Sequence, residues 1–355
     1  MDDTLKIASL NCRGLGGFHK RRDVFSFLRD KNFSIYLLQD THFTCDIEGR
    51  VSGEWGYDCY FSSFRSNSRG VAILINNNFE YKMIDMLKGN DDGNVLILKI
   101  AAFEKEFVII CLYGPNEDNP EFYVKLEEMI QNIGPSDNVV IGGDFNLVMN
   151  FDIDCFNYRH RNNVNASDKV VDMMHNLDLL DIWREINPET RRYTWRRSTP
   201  CQQSRLDFFL ISDTLAPLIK DVDIKPGYKT DHSLVTLSIQ LSEECKRHQF
   251  WKFNTSLLLD QEYLKNINNV IKDTLFEYAA LPYNRESLLN IHTADISLTI
   301  SDQLFLDVLL MKIRSKTISF ASYKKRKFQN NEKQLLIDIE YLENKIHLND
   351  YGTSS

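Results

Sequence analysis

Polar side chains capable of acid–base chemistry follow short apolar runs at several separate points of the chain. Asn11 comes directly after Leu5–Leu10, and Asp144 comes shortly after Val139–Ile141. The other polar residues placed at the ends of apolar runs are Asp40, Tyr113, Asn146, Asp207, Asp231 and His232. Strand ends in layered α/β proteins gather at one edge of the sheets, where ligands usually bind. We therefore expect these side chains to converge on one site.

This set of side chains could hydrolyse a phosphodiester. A single Asp or Asn at a strand end is typical of a turn or a helix cap. The whole set, however, contains carboxylates, two carboxamides, a His beside an Asp, and a Tyr. It offers oxygen ligands for a hard cation, a base for water and donors for phosphate oxygens. The combination favours metal-dependent phosphodiester hydrolysis.

Six short segments place these residues in a fixed order. They are Ser9–Leu15 (SLNCRGL), Leu37–His42 (LLQDTH), Leu112–Asn116 (LYGPN), Gly142–Asn146 (GGDFN), Ser204–Phe209 (SRLDFF) and Thr230–Ser233 (TDHS). Their order along the chain and their residues resemble the motifs of the endonuclease/exonuclease/phosphatase superfamily, in the form found in the apurinic-type endonuclease of LINE-type (non-LTR) retrotransposons. The resemblance covers Leu5 to about Leu241. It implies an enzyme that nicks DNA and leaves a 3′-hydroxyl primer for target-primed reverse transcription.

The resemblance also implies a role for each matched residue. The implied metal ligands are Asn11, Asp40 and Asp231, with Mg²⁺ as the expected ion and Mn²⁺ as a substitute. The implied catalytic residues are Tyr113, Asp144, Asn146, Asp207 and His232. In this scheme Asp144 is the general base for the attacking water. His232, oriented by Asp207, stabilises the charge of the phosphate, while Tyr113 donates to a phosphate or leaving oxygen.

Two residues depart from the family pattern. The family usually has Glu where this chain has Asp40. Because Asp is shorter by one methylene, either the backbone approaches the ion more closely or a water bridges the gap. Repair members of the family carry an acidic or amide residue where Arg13 stands. A cation beside the metal would repel it, so we expect Arg13 to point away from the site.

The segment Arg191–Arg197 alternates cations with aromatic residues. One interpretation is an exposed strand that packs Tyr193 or Trp195 on its other face. The other is a hairpin that contacts DNA phosphates and stacks on bases or sugars. In LINE endonucleases a similar Tyr-Thr segment lies beside the DNA-binding surface. The residues expected to contact DNA are Thr194, Arg196 and Arg197.

The first two thirds of the chain alternate short apolar runs with amphipathic stretches. Runs rich in Val, Ile and Phe predict strands at Leu5–Leu10, Ser34–Gln39, Val71–Ile75, Val95–Ile100, Phe107–Leu112, Val139–Ile141, Leu206–Ile211 and Leu234–Ile239. Helices are predicted for Phe18–Lys31, for Ala166–Leu177, and from Asn119-Pro120 to Gly134-Pro135. The predicted fold class is α/β: a four-layer sandwich of two packed, mixed but mostly antiparallel sheets flanked by helices.

The pattern changes after Ser242, which predicts a domain over residues 1–242 and a helical, linker-like extension over residues 243–355. Helices are predicted for Asp260–Ala279, Leu298–Phe328 and Glu332–His347. The segment Phe250–Leu258 resembles one that follows the endonuclease in LINE polyproteins. No reverse-transcriptase motif is seen, so we expect a truncated or degenerate copy, or a fragment. Retroelement RNA would be a further partner through the downstream part.

The composition limits the partners and the cellular location that we expect for this protein. The net charge of -8 argues mildly against tight static DNA binding, but it suits a site that concentrates carboxylates. The seven cysteines are scattered and show no paired spacing, which is typical of reduced thiols. No signal peptide and no apolar run of membrane-spanning length are seen. We therefore expect an intracellular protein, nuclear or cytoplasmic, that acts on DNA and not at a membrane.

Two alternatives to the DNA endonuclease stay open at this point. A related phosphoesterase, either an inositol phosphatase or a sphingomyelinase, would have much the same catalytic core. The second alternative is a catalytically inactive retroelement remnant that binds nucleic acid, which Asp40 and the missing polymerase favour. Fold class alone does not separate them.

Overall fold

The computed structural model describes residues 3–89, 92–134, 137–241, 253–280 and 297–351. Contacts between residues divide the chain into two units, Met1–Lys246 and Arg247–Ser355. A search of the described helices found none that combines the length and the apolarity needed to cross a membrane.

The described strands all belong to the first unit. They are β1 (Thr4–Asn11), β2 (Ile35–Gln39), β3 (Cys59–Ser62), β4 (Val71–Ile75), β5 (Lys82–Lys88), β6 (Val95–Ala102), β7 (Lys105–Tyr113), β8 (Val139–Asp144), β9 (Cys155–Phe156), β10 (Leu179–Asp181), β11 (Trp195–Ser198), β12 (Cys201–Ser204), β13 (Asp207–Ser212), β14 (Ile219–Lys225) and β15 (Leu234–Gln240). The eight strands predicted from apolar runs are all present. Their bounds differ from the prediction by no more than a few residues.

The described strands form two six-stranded sheets and one small sheet. The first large sheet has the order β14-β15-β1-β2-β4-β3, and the second has the order β10-β13-β8-β7-β6-β5. Each has one parallel pair, β1 with β2 and β7 with β8, and its other pairs are antiparallel. The small sheet has the order β11-β12-β9. This architecture confirms the predicted fold class.

Helices cover the outer faces of the two large sheets. The helices of the first unit are α1 (Phe18–Lys31), α2 (Glu48–Trp55), α3 (Pro120–Asn132), α4 (Phe151–Asp154), α5 (Val164–Asn176) and α6 (Ile182–Ile186), and the described part of the second unit contains α7 (Gln261–Tyr278) and α8 (Asp302–Tyr351). As predicted, α3 begins after Asn119, whose side chain accepts a hydrogen bond from the Phe122 amide at 3.2 Å. The predicted stop for α3 includes Pro135, which lies outside the described residues.

Strand periodicity explains the layers. In β7, Phe107 and Ile109 belong to the core between the two sheets, whereas Val108 and Ile110 pack under α3 and α5. Successive side chains of a strand point to opposite faces. Because both faces of these central strands are buried, the strands are continuously apolar, which is why they can be recognised in the sequence.

The described part of the second unit is helical. Helix α7 packs on α8, and the Tyr263 hydroxyl lies 2.7 Å from the Thr317 hydroxyl oxygen. The predicted break after Phe328 is wrong, because α8 continues through Gln329, Asn330 and Asn331. That stretch contains neither Pro nor Gly, the residues that stop a helix most strongly. In the segment Phe250–Leu258, which resembles one that follows the endonuclease in LINE polyproteins, residues 250–252 lie outside the described residues.

Candidate active site

Strand register brings the predicted residues to one edge of the two large sheets. In the parallel pair β1 and β2, Asn11 lies opposite Gln39, the residue before Asp40. Asp144 lies opposite Tyr113 on one side and opposite Asp207 on the other. A cleft of about 360 Å³ opens at this edge. The predicted residues that line the cleft are Asn11, Asp40, Tyr113, Asp144, Asn146, Asp231 and His232.

A glycine lets the ends of two strands approach each other beside Asp144. The Gly114 amide donates to the Asp144 carbonyl oxygen at 2.7 Å. A Cβ on residue 114 would lie 2.2 Å from the Phe145 carbonyl oxygen, which is far inside van der Waals contact. Glycine is therefore required at this position to bring Tyr113 and Asp144 to the same cleft.

Asp144 is a buried carboxylate held on both oxygens. Its Oδ2 accepts from Asn11 Nδ2 at 2.8 Å, and its Oδ1 accepts from the Asn146 amide at 2.9 Å. Burial and the charge of Asp207 raise the pKa of Asp144 to about 7, against the lowering effect of His232, Asn11 and Asn146. A base works best when its pKa lies near the working pH. The environment of Asp144 therefore suits proton abstraction at neutral pH.

His232 and Asp207 form a buried pair beside this carboxylate. Nδ1 of His232 lies 2.9 Å from Oδ2 of Asp207, and Nε2 of His232 lies 3.9 Å from Oδ2 of Asp144. Burial lowers the pKa of His232, but the contact with Asp207 and the charges of Asp144 and Asp231 raise it to about 9. The imidazole is therefore charged at neutral pH. It can donate a hydrogen bond to an anionic oxygen in the cleft.

Tyr113 and Asn146 complete this side of the cleft. Burial, with the charges of Asp40 and Asp144, raises the pKa of the Tyr113 hydroxyl well above its ordinary value, so the hydroxyl keeps its proton. Asn146 has a left-handed backbone, with φ of 53°. Its Nδ2 donates to the Gly114 carbonyl oxygen at 2.7 Å, and its amide donates to Asp144. Asn146 thus holds the carboxylate of Asp144 in its orientation.

Asn11, Asp40 and Asp231 present further oxygen atoms at the cleft. Asp40 Oδ1 accepts from the Arg69 amide at 3.0 Å and lies 3.0 Å from Nε2 of His42. Asn11 Oδ1 accepts from the Arg13 amide at 3.0 Å. Asp231 Oδ1 is buried and has no hydrogen-bond partner among the described residues. Hard oxygen donors suit Mg²⁺, and an orphaned buried oxygen calls for a partner. The residues present therefore fit a Mg²⁺ ion.

A second group of acidic and imidazole side chains lies deeper. One ligand atom from each of Asp144, Asp207 and His232 lies within 4.8 Å of the other two. His232 already engages Asp207 through Nδ1, and Asp144 is held by Asn11 and by Asn146. These contacts suit the group to proton transfer and phosphate binding. The oxygens of Asn11, Asp40 and Asp231 are the candidate ligands for a metal ion.

The expected orientation of Arg13 is wrong. Its side chain lines the cleft, and its Nη1 lies 2.9 Å from Oδ2 of Asp231. The expectation considered only repulsion by a metal ion. It neglected the attraction of the Asp231 carboxylate, which turns the guanidinium toward the site.

The segment Arg191–Arg197 enters a hairpin of β11 and β12, and its three predicted DNA contacts differ in environment. Thr194 is fully buried, and its Oγ1 accepts from the Leu206 and Asp207 amides, both at 2.9 Å. Its burial is at odds with a direct phosphate contact, because that would require an exposed hydroxyl. We now propose that Thr194 positions Asp207.

The two arginines of this segment, Arg196 and Arg197, also lie in different environments. Arg196 donates from Nη1 to the Ser233 Oγ at 2.9 Å, and its amide donates to the Asp231 carbonyl oxygen at 3.2 Å. It therefore contacts the residue on either side of His232, through the Asp231 backbone and the Ser233 side chain. Arg197 is exposed and donates from Nε to the Thr199 carbonyl oxygen at 2.9 Å. Arg197 is the member of the pair that is available to a ligand.

Sequence reasoning missed two supporting residues. His42 stands within the second motif but was given no role, and it contacts Asp40. Arg205 precedes Asp207 by two positions, and its guanidinium is buried between Trp183 and Phe208, at 5.5 Å and 5.2 Å from their ring centres. An arginine at the start of an apolar run is the signal that could have indicated a buried ion pair.

Known proteins resemble the chain over the same region. A model of the Endonuclease/Exonuclease/phosphatase family matches residues 8–232. The Transposon TX1 uncharacterized 149 kDa protein of Xenopus laevis is 28% identical over 273 residues, which are 75% of this chain. The chain spans about a fifth of that relative, 20% of its length. The Exodeoxyribonuclease of Bacillus subtilis (strain 168) is 24% identical over 67% of this chain and 100% of its own length.

Solved structures share the fold. The AP endonuclease LMAP from Leishmania major has a TM-score of 0.58 at 15% identity, over 67% of this chain and 88% of its own. The 3′ phosphatase NExo from Neisseria, bound to a product DNA hairpin, has a TM-score of 0.55 at 20% identity, over 66% of this chain and 99% of its own. At these identities the similarity establishes the architecture.

Proposed function

The chain belongs to the endonuclease/exonuclease/phosphatase family, and from this premise we propose that it is a Mg²⁺-dependent DNA endonuclease. Its family and its nuclease relatives make it a hydrolytic phosphodiesterase. The observation that carries the proposal is the pairing of Asp144 with His232. A base with a pKa of about 7 lies 3.9 Å from an imidazole with a pKa of about 9, and both line one cleft.

The two residues have opposite tasks at neutral pH. Asp144 draws a proton from the attacking water, because its carboxylate is buried and held in place by Asn11 and Asn146. His232 is charged and donates to a non-bridging oxygen of the scissile phosphate as negative charge develops there. Asp207 keeps the imidazole in this orientation through Nδ1.

The remaining residues hold the ion and the leaving group. Asn11, Asp40 and Asp231 would hold Mg²⁺, which when bound supplies positive charge that stabilises the phosphate oxygens. Tyr113 keeps its proton, and its hydroxyl can donate a hydrogen bond to the leaving 3′ oxygen or to another phosphate oxygen. Under this proposal the product is a nick with a 3′-hydroxyl.

Support for DNA as the substrate comes from the relatives. The Bacillus relative is named an exodeoxyribonuclease, and the Neisseria structure contains a DNA hairpin. The Xenopus relative is a transposon protein, which favours nicking that primes target-primed reverse transcription. Retroelement RNA is a further partner under this proposal. We also propose that residues 1–242 carry the catalysis and that residues 243–355 form a helical extension.

Plasmid nicking tests the proposal directly. The full chain with Mg²⁺ should convert supercoiled DNA to open circles, and EDTA should stop the reaction because the ion is removed. A chain ending at Ser242 should nick at a similar rate. Absence of nicking by the full chain would favour the inactive-remnant alternative, and hydrolysis of inositol phosphates or sphingomyelin instead would favour the related phosphoesterases. A folded but inactive truncated chain would refute the domain assignment alone.

Asp40 offers a prediction about the ion. Oδ1 of Asp40 is already held by the Arg69 amide and by His42, which leaves Oδ2 as the oxygen more readily available to an ion. Asp40→Ala should raise the Mg²⁺ concentration for half-maximal nicking by at least roughly tenfold, the lower range reported for disturbed metal sites. Asp40→Glu should also raise it, because the longer side chain cannot keep both contacts of Oδ1.

The measurement is a Mg²⁺ titration of nicking, paired with Mn²⁺ binding followed by electron paramagnetic resonance. The control is Asp221→Ala, which removes an exposed carboxylate outside the cleft. If Asp40→Ala binds Mn²⁺ as tightly as the control, Asp40 is not a metal ligand. If Asp40→Glu binds it more tightly than the wild type, a water bridges Asp40 and the ion.

A further inference from the structure

Arg13 is the cationic side chain of the cleft. Among the described residues that line the cleft, it is the one lysine or arginine. It shares the cleft with the carboxylates of Asp40, Asp144 and Asp231 and with the imidazole of His232. A phosphodiester that enters this space meets more negative than positive protein charge. A fixed cation at the cleft therefore bears on substrate binding.

The backbone of Arg13 is fixed on three sides. Its amide donates to Asn11 Oδ1 at 3.0 Å, and its carbonyl oxygen accepts from Lys20 Nζ at 2.8 Å. The next amide, that of Gly14, donates to the Asp40 carbonyl oxygen at 2.7 Å. Arg13 itself lies in the left-handed region, with φ of 47°. The surrounding contacts hold this conformation, so the start of the side chain has a defined direction toward the cleft.

The guanidinium itself is only lightly engaged. One nitrogen, Nη1, pairs with Oδ2 of Asp231 at 2.9 Å, while the Arg13 side chain is 69% exposed and that of Asp231 is 27% exposed. Exposed ion pairs are weak, so a ligand can displace this one. A guanidinium presents five N–H donors in a planar fork that matches two oxygens of a phosphate.

We propose that Arg13 is a substrate-binding residue that binds a phosphate of the DNA strand lying in the cleft. This inference rests on the proposed function and adds a residue to it. The ion pair with Asp231 holds the guanidinium at the cleft before DNA binds. When the guanidinium turns to the phosphate, Oδ2 of Asp231 is released beside Oδ1, which has no partner among the described residues.

DNA binding by the full chain tests the inference. The measurement is the affinity for a duplex oligonucleotide at several salt concentrations, on the Asp144→Asn background so that the DNA stays intact. Arg13→Gln should weaken binding about tenfold near 0.1 M salt and reduce the slope of log affinity against log salt by about one. Arg13→Lys should keep most of the slope, because it keeps the charge. The control, Arg50→Gln, changes an exposed arginine outside the cleft and should leave both quantities unchanged.

Two further readouts separate the explanations. In the wild-type background, Arg13→Gln should raise KM for nicking more than it lowers kcat. Mn²⁺ binding without DNA should stay equal or become tighter, because a competing cation is gone. An unchanged salt slope together with weaker Mn²⁺ binding would overturn the inference and make Arg13 a support for the metal ligands. If the wild type does not nick DNA at all, the proposed function fails, while the salt slope still decides the role of Arg13.

Discussion

Asp144→Asn should lower the rate of DNA nicking by about 10²–10⁴-fold, the usual contribution of a general base, and leave DNA affinity close to the wild-type value. Asn keeps the shape of the side chain and still offers an oxygen to the Asn146 amide, which donates to Oδ1 at 2.9 Å. It cannot take a proton from water. The loss should therefore fall on kcat.

The pH profile adds a second readout. Because the pKa of Asp144 is raised to about 7, more of the carboxylate is ionised as pH rises through that value. The wild-type rate should therefore increase with pH over this range and then level off until His232 begins to lose its charge near its pKa of about 9, and the residual rate of Asp144→Asn should lack the rise near pH 7. Asp152→Asn, an exposed aspartate, is the control. Wild-type nicking by Asp144→Asn would assign the base to another residue.

The central strands were predictable from sequence and the edges of the sheets were not. Strands such as β7 and β8 are apolar on both faces because sheet and helix cover them. The four edge strands β3, β5, β10 and β14 were all missed. β5 (KMIDMLK) and β14 (IKDVDIK) mix charged with apolar residues and are partly exposed. Edge strands commonly carry charges because these discourage pairing with other chains, and the same charges hide the strand in the sequence.

In the candidate site, too, some features could be predicted from local sequence patterns and others depend on residues distant in sequence. Residues at strand ends could be expected to converge, and the register brings Asn11, Tyr113 and Asp144 to one cleft. The direction of a side chain depends on partners far away in sequence. Arg13 meets Asp231, which lies 218 positions further along the chain. Thr194 turns inward to the amides of Leu206 and Asp207. No local pattern specifies such contacts.

The contact of Arg205 with two acidic residues is the largest of the long-range contacts that were not predicted from the sequence. Its Nη2 lies 2.6 Å from Oδ2 of Asp181, and its Nε lies 2.8 Å from Oδ1 of Asp154. Arg205 is 1% exposed and Asp154 is 0% exposed. Burial alone would raise the pKa of Asp154, but Arg205 and Arg184 hold it below its ordinary value. The cluster ties the start of β13, which carries Asp207, to α4 and α6.

Arg205→Met should therefore lower the free energy of unfolding by about 3–5 kcal/mol, the typical cost of removing one partner from a buried ion pair. Methionine fills much of the same volume but leaves Asp154 and Asp181 without their main cation. The measurement is denaturant unfolding of the full chain followed by tryptophan fluorescence, to which Trp183 contributes beside Arg205. Arg50→Met, at an exposed position, is the control.

The effect of acid on stability distinguishes loss of charge from loss of packing, because only the loss of charge makes the difference between the two proteins depend on pH. A depressed pKa of Asp154 contributes stability above the ordinary value of 3.8, and that contribution is lost as pH falls through the folded-state pKa. In Arg205→Met only Arg184 remains to depress the pKa of Asp154, so most of this contribution is missing at neutral pH. The difference in stability between the two proteins should shrink as pH falls below about 4, where the carboxylates become protonated. A difference that is constant from neutral to acidic pH would attribute the effect to lost contacts with Trp183 and Phe208 instead of lost charge.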